Sequence, residues 1–200
     1  MAQLLLSKAT LLKERRQLAA YQRFLPSLEM KRQQLMLAVK ASEQRLMDIR
    51  QQLDELHQII ASDVPMLANN DIRLQPLVTV VAVEYQKENI AGVAIERVEQ
   101  VQFEPSPVSV LSRPHWVDVV QQRLQQAIEW QLHADAEETV LQLLHAALIK
   151  VTQRMNLFDK VLIPQSQKNI RRIQIYLDDK AREAVVTSKI AKNKRKEAML

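Results

Sequence analysis

Residues 4–60 read LLLSKATLLKERRQLAAYQRFLPSLEMKRQQLMLAVKASEQRLMDIRQQLDELHQII, and the spacing of their apolar residues decides the fold. Steps of seven from Leu4 pass through Leu11, Leu18, Leu25, Arg32, Val39, Leu46, Leu53 and Ile60, all apolar except Arg32. A companion line three residues on holds Ser7, Glu14, Tyr21, Leu28, Leu35, Ser42, Ile49 and Leu56. Two apolar lines at a mean spacing of 3.5 residues define one side of a left-handed coiled coil, because only a slightly under-wound helix keeps such a stripe facing a partner. A helix of this length spans about 85 Å at 1.5 Å per residue. Its stripe needs a second helix to cover it. Pro26 falls inside the pattern; it removes one hydrogen bond and predicts a bend, while the unbroken heptad frame predicts that the helix continues. Ser62, Asp63 and Pro65 are expected to end it.

A matching seam lies in the second half of the chain. Leu141, Leu144, Leu148, Val151, Met155, Phe158 and Leu162 alternate steps of three and four. Val120, Ala127 and Ala134 extend one line backwards. Past Pro164 the stripe resumes as Ile170, Ile173, Leu177, Ala184 and Ala191, displaced by one residue, so the seam is expected to rotate at the proline. Ser112-Arg113-Pro114 reads as the start of this helix, a capping serine followed by proline in the first turn.

The segment between the helices differs. Leu77–Val83 is rich in β-branched residues and predicts a strand. Lys87-Glu88-Asn89 reads as a turn, and Ile90–Phe103 as a second strand in which Val93/Ile95 and Val101/Phe103 alternate. Gly92 falls within it as a bulge or a close backbone approach. Pro105 and Pro107 end the pattern. The expected architecture is mainly α: an antiparallel two-helix coiled coil from segments 1–62 and 114–200, with a small β-hairpin-containing head at 63–113. The single glycine among 200 residues agrees with few turns and long helices. The second helix is about 25 residues longer, so either it overhangs the first or its early turns belong to the head.

Composition excludes most chemistry. One glycine rules out a phosphate-binding P-loop and a dinucleotide fingerprint, both of which need several. His57, His115, His133 and His145 lack the spacing of a metal site. Glu137-Glu138 and Asp178-Asp179 read as solvated faces with neighbouring ion pairs. No cysteine is present, which excludes disulfides and thiolate sites and agrees with a reducing compartment. No apolar run is long enough to span a membrane, and no signal core is evident. The expectation is a non-catalytic, cytoplasmic protein without cofactor or metal. The net charge of +5 concentrates at both chain ends. Lys8, Lys13, Arg15, Arg16, Arg23, Lys31 and Arg32 load one; Lys189, Lys192, Lys194, Arg195 and Lys196 load the other. Antiparallel helices would bring these together as one basic tip. No RNA-recognition, zinc-finger or helix-turn-helix signature accompanies the charge, so nucleic acid is not the expected partner. Physics alone gives a stiff rod with a head and not its use; a passive spacer, a coiled-coil adaptor or a nucleic-acid-binding spacer would all fit such a rod.

Three stretches resemble the D subunit of V-type and archaeal-type ATPases and ATP synthases, in its bacterial branch. They are Arg23-Phe24-Leu25-Pro26-Ser27-Leu28 with Lys31-Arg32-Gln33-Gln34-Leu35; Asn89-Ile90-Ala91-Gly92-Val93; and Val151–Pro164, continued by Asn169-Ile170-Arg171-Arg172-Ile173. The last is the most specific: Arg154, Asn156, Ile163 and Pro164 match the family's arginine, asparagine and Ile-Pro ahead of a long final helix. Pro26 departs from the family's commoner continuous basic helix. The resemblance implies a central rotor shaft that couples ATP hydrolysis or synthesis to ion translocation. Its implied partners are a hexamer of catalytic and regulatory nucleotide-binding subunits, a small companion rotor subunit, and a funnel-shaped subunit on the membrane ring. The chain itself would be peripheral to the membrane, without insertion. On this reading the seam comprises Leu11, Leu18, Leu25, Leu28, Leu35, Leu46, Ile49, Leu53, Leu144, Leu148, Val151, Met155, Phe158 and Leu162. Val80, Val83, Gly92 and Ile95 are the expected partner-binding face of the head, and Lys192, Lys194, Arg195 and Lys196 are expected to meet the hexamer.

Overall fold

Ser7 starts the first helix through both of its oxygens. Its Oγ accepts the Thr10 amide at 3.2 Å, and its carbonyl accepts the Leu11 amide at 3.0 Å, the pattern of a serine N-cap. In the computed structural model, which describes residues 5–63, 78–104 and 116–197, helix α1 then runs over Lys8–Asp63. Strands β1 (Val80–Ile90) and β2 (Val93–Phe103), helix α2 (Trp116–Leu157), a π-helical turn (Phe158–Leu162) and helix α3 (Ile163–Glu197) follow. Leu4, Pro65, the Ser112–Pro114 cap and the prolines after β2 lie outside the described residues.

The heptad frame of α1 is realised without a slip. Every position of its two lines from Ser7 to Ile60 is buried or half-buried, including Glu14, Arg32 and Ser42, which are not apolar. The large exposed apolar residues of α1, such as Phe24, Met30, Leu37 and Met47, lie off these lines. Pro26 sits within α1, and the Ser27 hydroxyl donates to the Phe24 carbonyl at 2.7 Å in the same turn. The expected seam residues of the second half from Val120 to Leu177 are likewise buried or half-buried.

The chain divides into two compact units, and these do not follow the segments 1–62, 63–113 and 114–200. One unit joins the chain up to Lys31 with the chain from Val151 onward; the other is Arg32–Lys150. Within the first, Glu14 accepts a hydrogen bond from Asn169 at 3.3 Å, and the Tyr21 and Phe158 rings stack with centroids 5.3 Å apart. Partner numbers fall as α1 numbers rise, so the pairing is antiparallel. Within the second, His145 lies 3.7 Å from Glu43 and Arg50 pairs with Glu138, again antiparallel.

The one-residue displacement of the seam at Pro164 has a structural cause. Proline has no amide for the i−4 carbonyl, and its ring crowds that carbonyl. The backbone answers with a π turn: the Ile163 amide bonds to the Phe158 carbonyl, five residues back. A π turn inserts one residue into a helical repeat. The buried line accordingly reads Glu137, Leu144 and Val151 in steps of seven, then resumes at Ser166 and Ile173. Arg154, Asn156, Ile163 and Pro164 bracket this turn.

α3 continues far beyond the start of α1. With Asn169 opposite Glu14, residue Lys8 falls opposite a point near residue 175. From Asp178 to Arg195 every residue is exposed, so the stretch is bare among the described residues for roughly 27 Å. This corrects two expectations. Ala184 and Ala191 extend the stripe in sequence, but nothing among the described residues covers them. The basic residues of the two chain ends do not coincide, because the α3 cluster begins about 20 Å past the start of α1.

β1 and β2 form an antiparallel two-stranded sheet. Its turn is Ala91-Gly92, not Lys87–Asn89: Ile90 pairs with Val93, and both turn residues have positive φ, 50° and 80°. That geometry suits the right-handed twist of paired strands. Gly92 therefore makes the turn, and the Asn89 side chain accepts its amide at 2.8 Å. The pairing slips between Glu84 and Tyr85, where β2 carries one extra residue. Ile95, Val98 and Val101 are the buried residues of β2; Val98 lies outside the alternating series read from sequence.

Two stability changes follow. Leu144→Ala removes a fully buried seam side chain and lowers unfolding free energy by about 2–5 kcal/mol, whereas Leu37→Ala on the exposed face changes it by less than about 0.5 kcal/mol; denaturant titration of both separates them. Ala91→Asn relieves a left-handed conformation that alanine tolerates poorly and raises hairpin stability by up to about 1 kcal/mol, read from amide exchange across β1 and β2.

Candidate functional site

The described surface offers three features beyond the seam: a polar cluster where hairpin and helices meet, an exposed face on the hairpin, and the bare end of α3.

The polar cluster centres on Glu137. Its carboxylate accepts the Ser42 hydroxyl at 2.6 Å through Oε1 and the Arg97 Nε–H at 3.1 Å through Oε2. Arg97 also pairs with Glu88 on the neighbouring strand. Glu137 is only 4% exposed and Ser42 is fully buried. This overturns the reading of Glu137 as a solvated residue; Glu138 is the solvated one, pairing with Arg50 at the surface. A signal existed in the sequence. Seven residues before Leu144 on the seam line stands Glu137, and Ser42 is the polar break in the α1 seam. An open cavity of about 320 Å³ adjoins the cluster, lined by Arg45, Asp48, Val98 and His133 among others. Its walls carry charges of both signs. Among the described residues no group of three His, Cys, Asp or Glu could hold a metal ion.

The expected face of the head is split by the structure. Ile95 is 1% exposed and shares a small cavity with Val140 and Leu143 of α2, so it belongs to the hairpin's own seat and not to a partner surface. Gly92 is committed to the turn. Val83 is half-buried and Val80 lies at the margin of exposure. The residues with apolar surface to offer are Val81 at 64% and Tyr85 at 49%, which sequence reasoning missed. The pairing slips between Val80 and Ala82 and again between Glu84 and Tyr85, and such irregularities re-aim side chains in a way that simple alternation cannot foresee.

The end of α3 combines apolar and basic groups on one uncovered helix. Val185, Val186 and Ile190 are each more than half exposed. Lys189 and Lys192 border a shallow groove with Ala184, Val185 and Ser188. Lys194 and Arg195 are exposed one turn further, while the side chain of Lys196 lies outside the described residues. Lys180 donates to Glu183 at 2.8 Å; that hydrogen bond, reinforced by Coulomb attraction, raises the lysine pKa and lowers that of the carboxylate.

Antiparallel helix pairing along a heptad seam, found within each of the two units, defines a coiled-coil protein. Residues 10–193 match the family described as the ATP synthase D subunit, and the chain belongs to that family. It is 31% identical over 195 residues to the V-type ATP synthase D subunit of Borreliella burgdorferi, covering 96% of this chain and 95% of that one. It is 27% identical over 197 residues to the protein of the same name from Chlamydia pneumoniae, covering 96% and 93% respectively. No described helix is long and apolar enough to cross a membrane.

The division of the hairpin into seat and surface is testable. Val81→Asp combined with Tyr85→Ser leaves amide protection of β1 and β2 intact. Ile95→Asp places a carboxylate in the seat and releases the hairpin at a cost above about 3 kcal/mol, so protection is lost.

Proposed function

We propose that this chain is the central-stalk shaft of a rotary V-type ATPase or ATP synthase, a non-catalytic subunit that couples nucleotide chemistry in a surrounding hexamer to ion movement through a membrane ring. The observation that carries the reading is the bare end of α3 in a chain of the ATP synthase D family. A helix with exposed valines and isoleucine and a cluster of lysines loses free energy to water unless something covers it. A collar of hexamer subunits would bury the apolar groups and meet the charges with carboxylates or backbone oxygens.

The mechanism is mechanical. As the nucleotide-binding sites change state in turn, each grips a different face of the shaft and turns it; driven the other way, the shaft forces the sites through their cycle. The antiparallel seam gives the pair its resistance to bending and twist. Ion pairs on the exposed surface of the shaft are individually weak and can exchange as the shaft turns. The exposed β1 face with Val81 and Tyr85 serves the companion rotor subunit, and the hairpin end faces the funnel-shaped subunit on the ring. On this reading the chain sits at the cytoplasmic face of the membrane, held there by its partners.

Changing Lys192, Lys194, Arg195 and Lys196 together to Gln slows entry of the shaft into the hexamer by roughly tenfold or more at low salt, and less as screening shortens the reach of charge. The seam is untouched, so helicity is retained. Association kinetics with purified hexamer across salt concentrations provide the measurement; wild-type rates throughout would refute the seated tip. One copy of the chain per complex is required, and a symmetric dimer of it would favour an adaptor.

A further inference from the structure

An apolar seam of period seven has a weakness: it tolerates slipping. Sliding α2 along α1 by one heptad would bury nearly the same leucines. Glu137 removes that freedom within the unit Arg32–Lys150. Its carboxylate is buried and finds the Ser42 hydroxyl at 2.6 Å. One heptad either way along α1 stand Leu35 and Ile49, and neither side chain can donate a hydrogen bond. A slipped register would leave a buried carboxylate without its partner on α1, which is strongly unfavourable. The second carboxylate oxygen accepts from Arg97 on β2, and Arg97 also holds Glu88 on β1. One side chain thus ties α1, α2 and both strands of the hairpin.

We propose that Glu137 is the positioning residue that fixes helix register and hairpin orientation together, so that twist in the helix pair reaches the hairpin without slip. The second half of this statement rests on the shaft reading above; the first does not. A buried ion pair is a poor source of stability, and apolar replacements of such pairs are often neutral or stabilising. Stability and register therefore separate in a way that a merely structural role would not produce.

The chain has no cysteine, which permits clean spin labelling of the full-length protein. Labels at Ala41 and Ala146, both exposed, report helix register; labels at Ala41 and Glu99, both exposed, report hairpin orientation. In the double variant Ser42→Val with Glu137→Leu, the melting temperature holds within about 4 °C or rises. Its Ala41–Ala146 distribution gains a second population from a slip of about 10 Å along the helix. Ser42→Thr keeps the hydroxyl and keeps the single wild-type population. Arg97→Met leaves register single but broadens the Ala41–Glu99 distances. A single unshifted register in the double variant, or wild-type hairpin distances in Arg97→Met, overturns the lock; the second measurement decides even if the double variant fails to fold. In the assembled complex, Arg97→Met lowers the number of ions moved per ATP hydrolysed, and an unchanged ratio overturns the transmission of twist. Failure of the wild-type chain to join a nucleotide-binding hexamer would instead refute the shaft reading, while the distance measurements still decide the lock.

Discussion

A helix of 56 residues with apolar side chains along one stripe cannot stand alone in water, and most of the structure follows from covering that stripe. The cover is supplied by α2 and α3. Antiparallel pairing needs only a connection that reverses direction, and the hairpin segment lies within that connection. The seam consumes the leucines and isoleucines that would otherwise build a wide core. This is why a chain with 4% aromatic residues can fold as long helices.

The polar residues that interrupt the seam are as informative as the apolar ones that make it. Glu14 meets Asn169, and Ser42 meets Glu137. The Ser42–Glu137 pair is satisfied in one register only, since Leu35 and Ile49, a heptad either way on α1, cannot donate a hydrogen bond. Apolar burial supplies most of the free energy of association, but it discriminates weakly between registers. A buried donor or acceptor discriminates strongly, because the penalty for leaving it unpaired exceeds the benefit of pairing it. The hairpin takes part in the same arrangement through Arg97, and is seated by Ile95 and Val98 as well.

The π turn before Pro164 and the bare end of α3 show how the second helix differs from a plain partner for the first. The extra residue at the turn moves the buried line around the helix and lets pairing resume at Ser166 and Ile173. Beyond Leu177 nothing among the described residues covers the helix. On the shaft reading the same helix therefore does two things in succession: it packs against α1, and then it presents a naked surface to a surrounding collar. Few internal contacts stabilise that last stretch, so its order would come from its partner.

Heptad spacing, the single glycine and the one-residue seam displacement were all legible in the sequence, and with them the long helices and their antiparallel pairing. The Arg154–Pro164 motif carried the family. These are properties of the backbone period and of local steric rules, so a window of a few turns contains them. Other features were decided only by tertiary structure. Glu137 is buried because α2 settles opposite Ser42. Ile95 is buried because α2 brings Val140 and Leu143 against it, and Tyr85 stays exposed beside the slip in the strand pairing. The basic ends are staggered because α3 outruns α1. Each depends on which residue lies opposite which, a relation between distant parts of the chain that no local pattern contains.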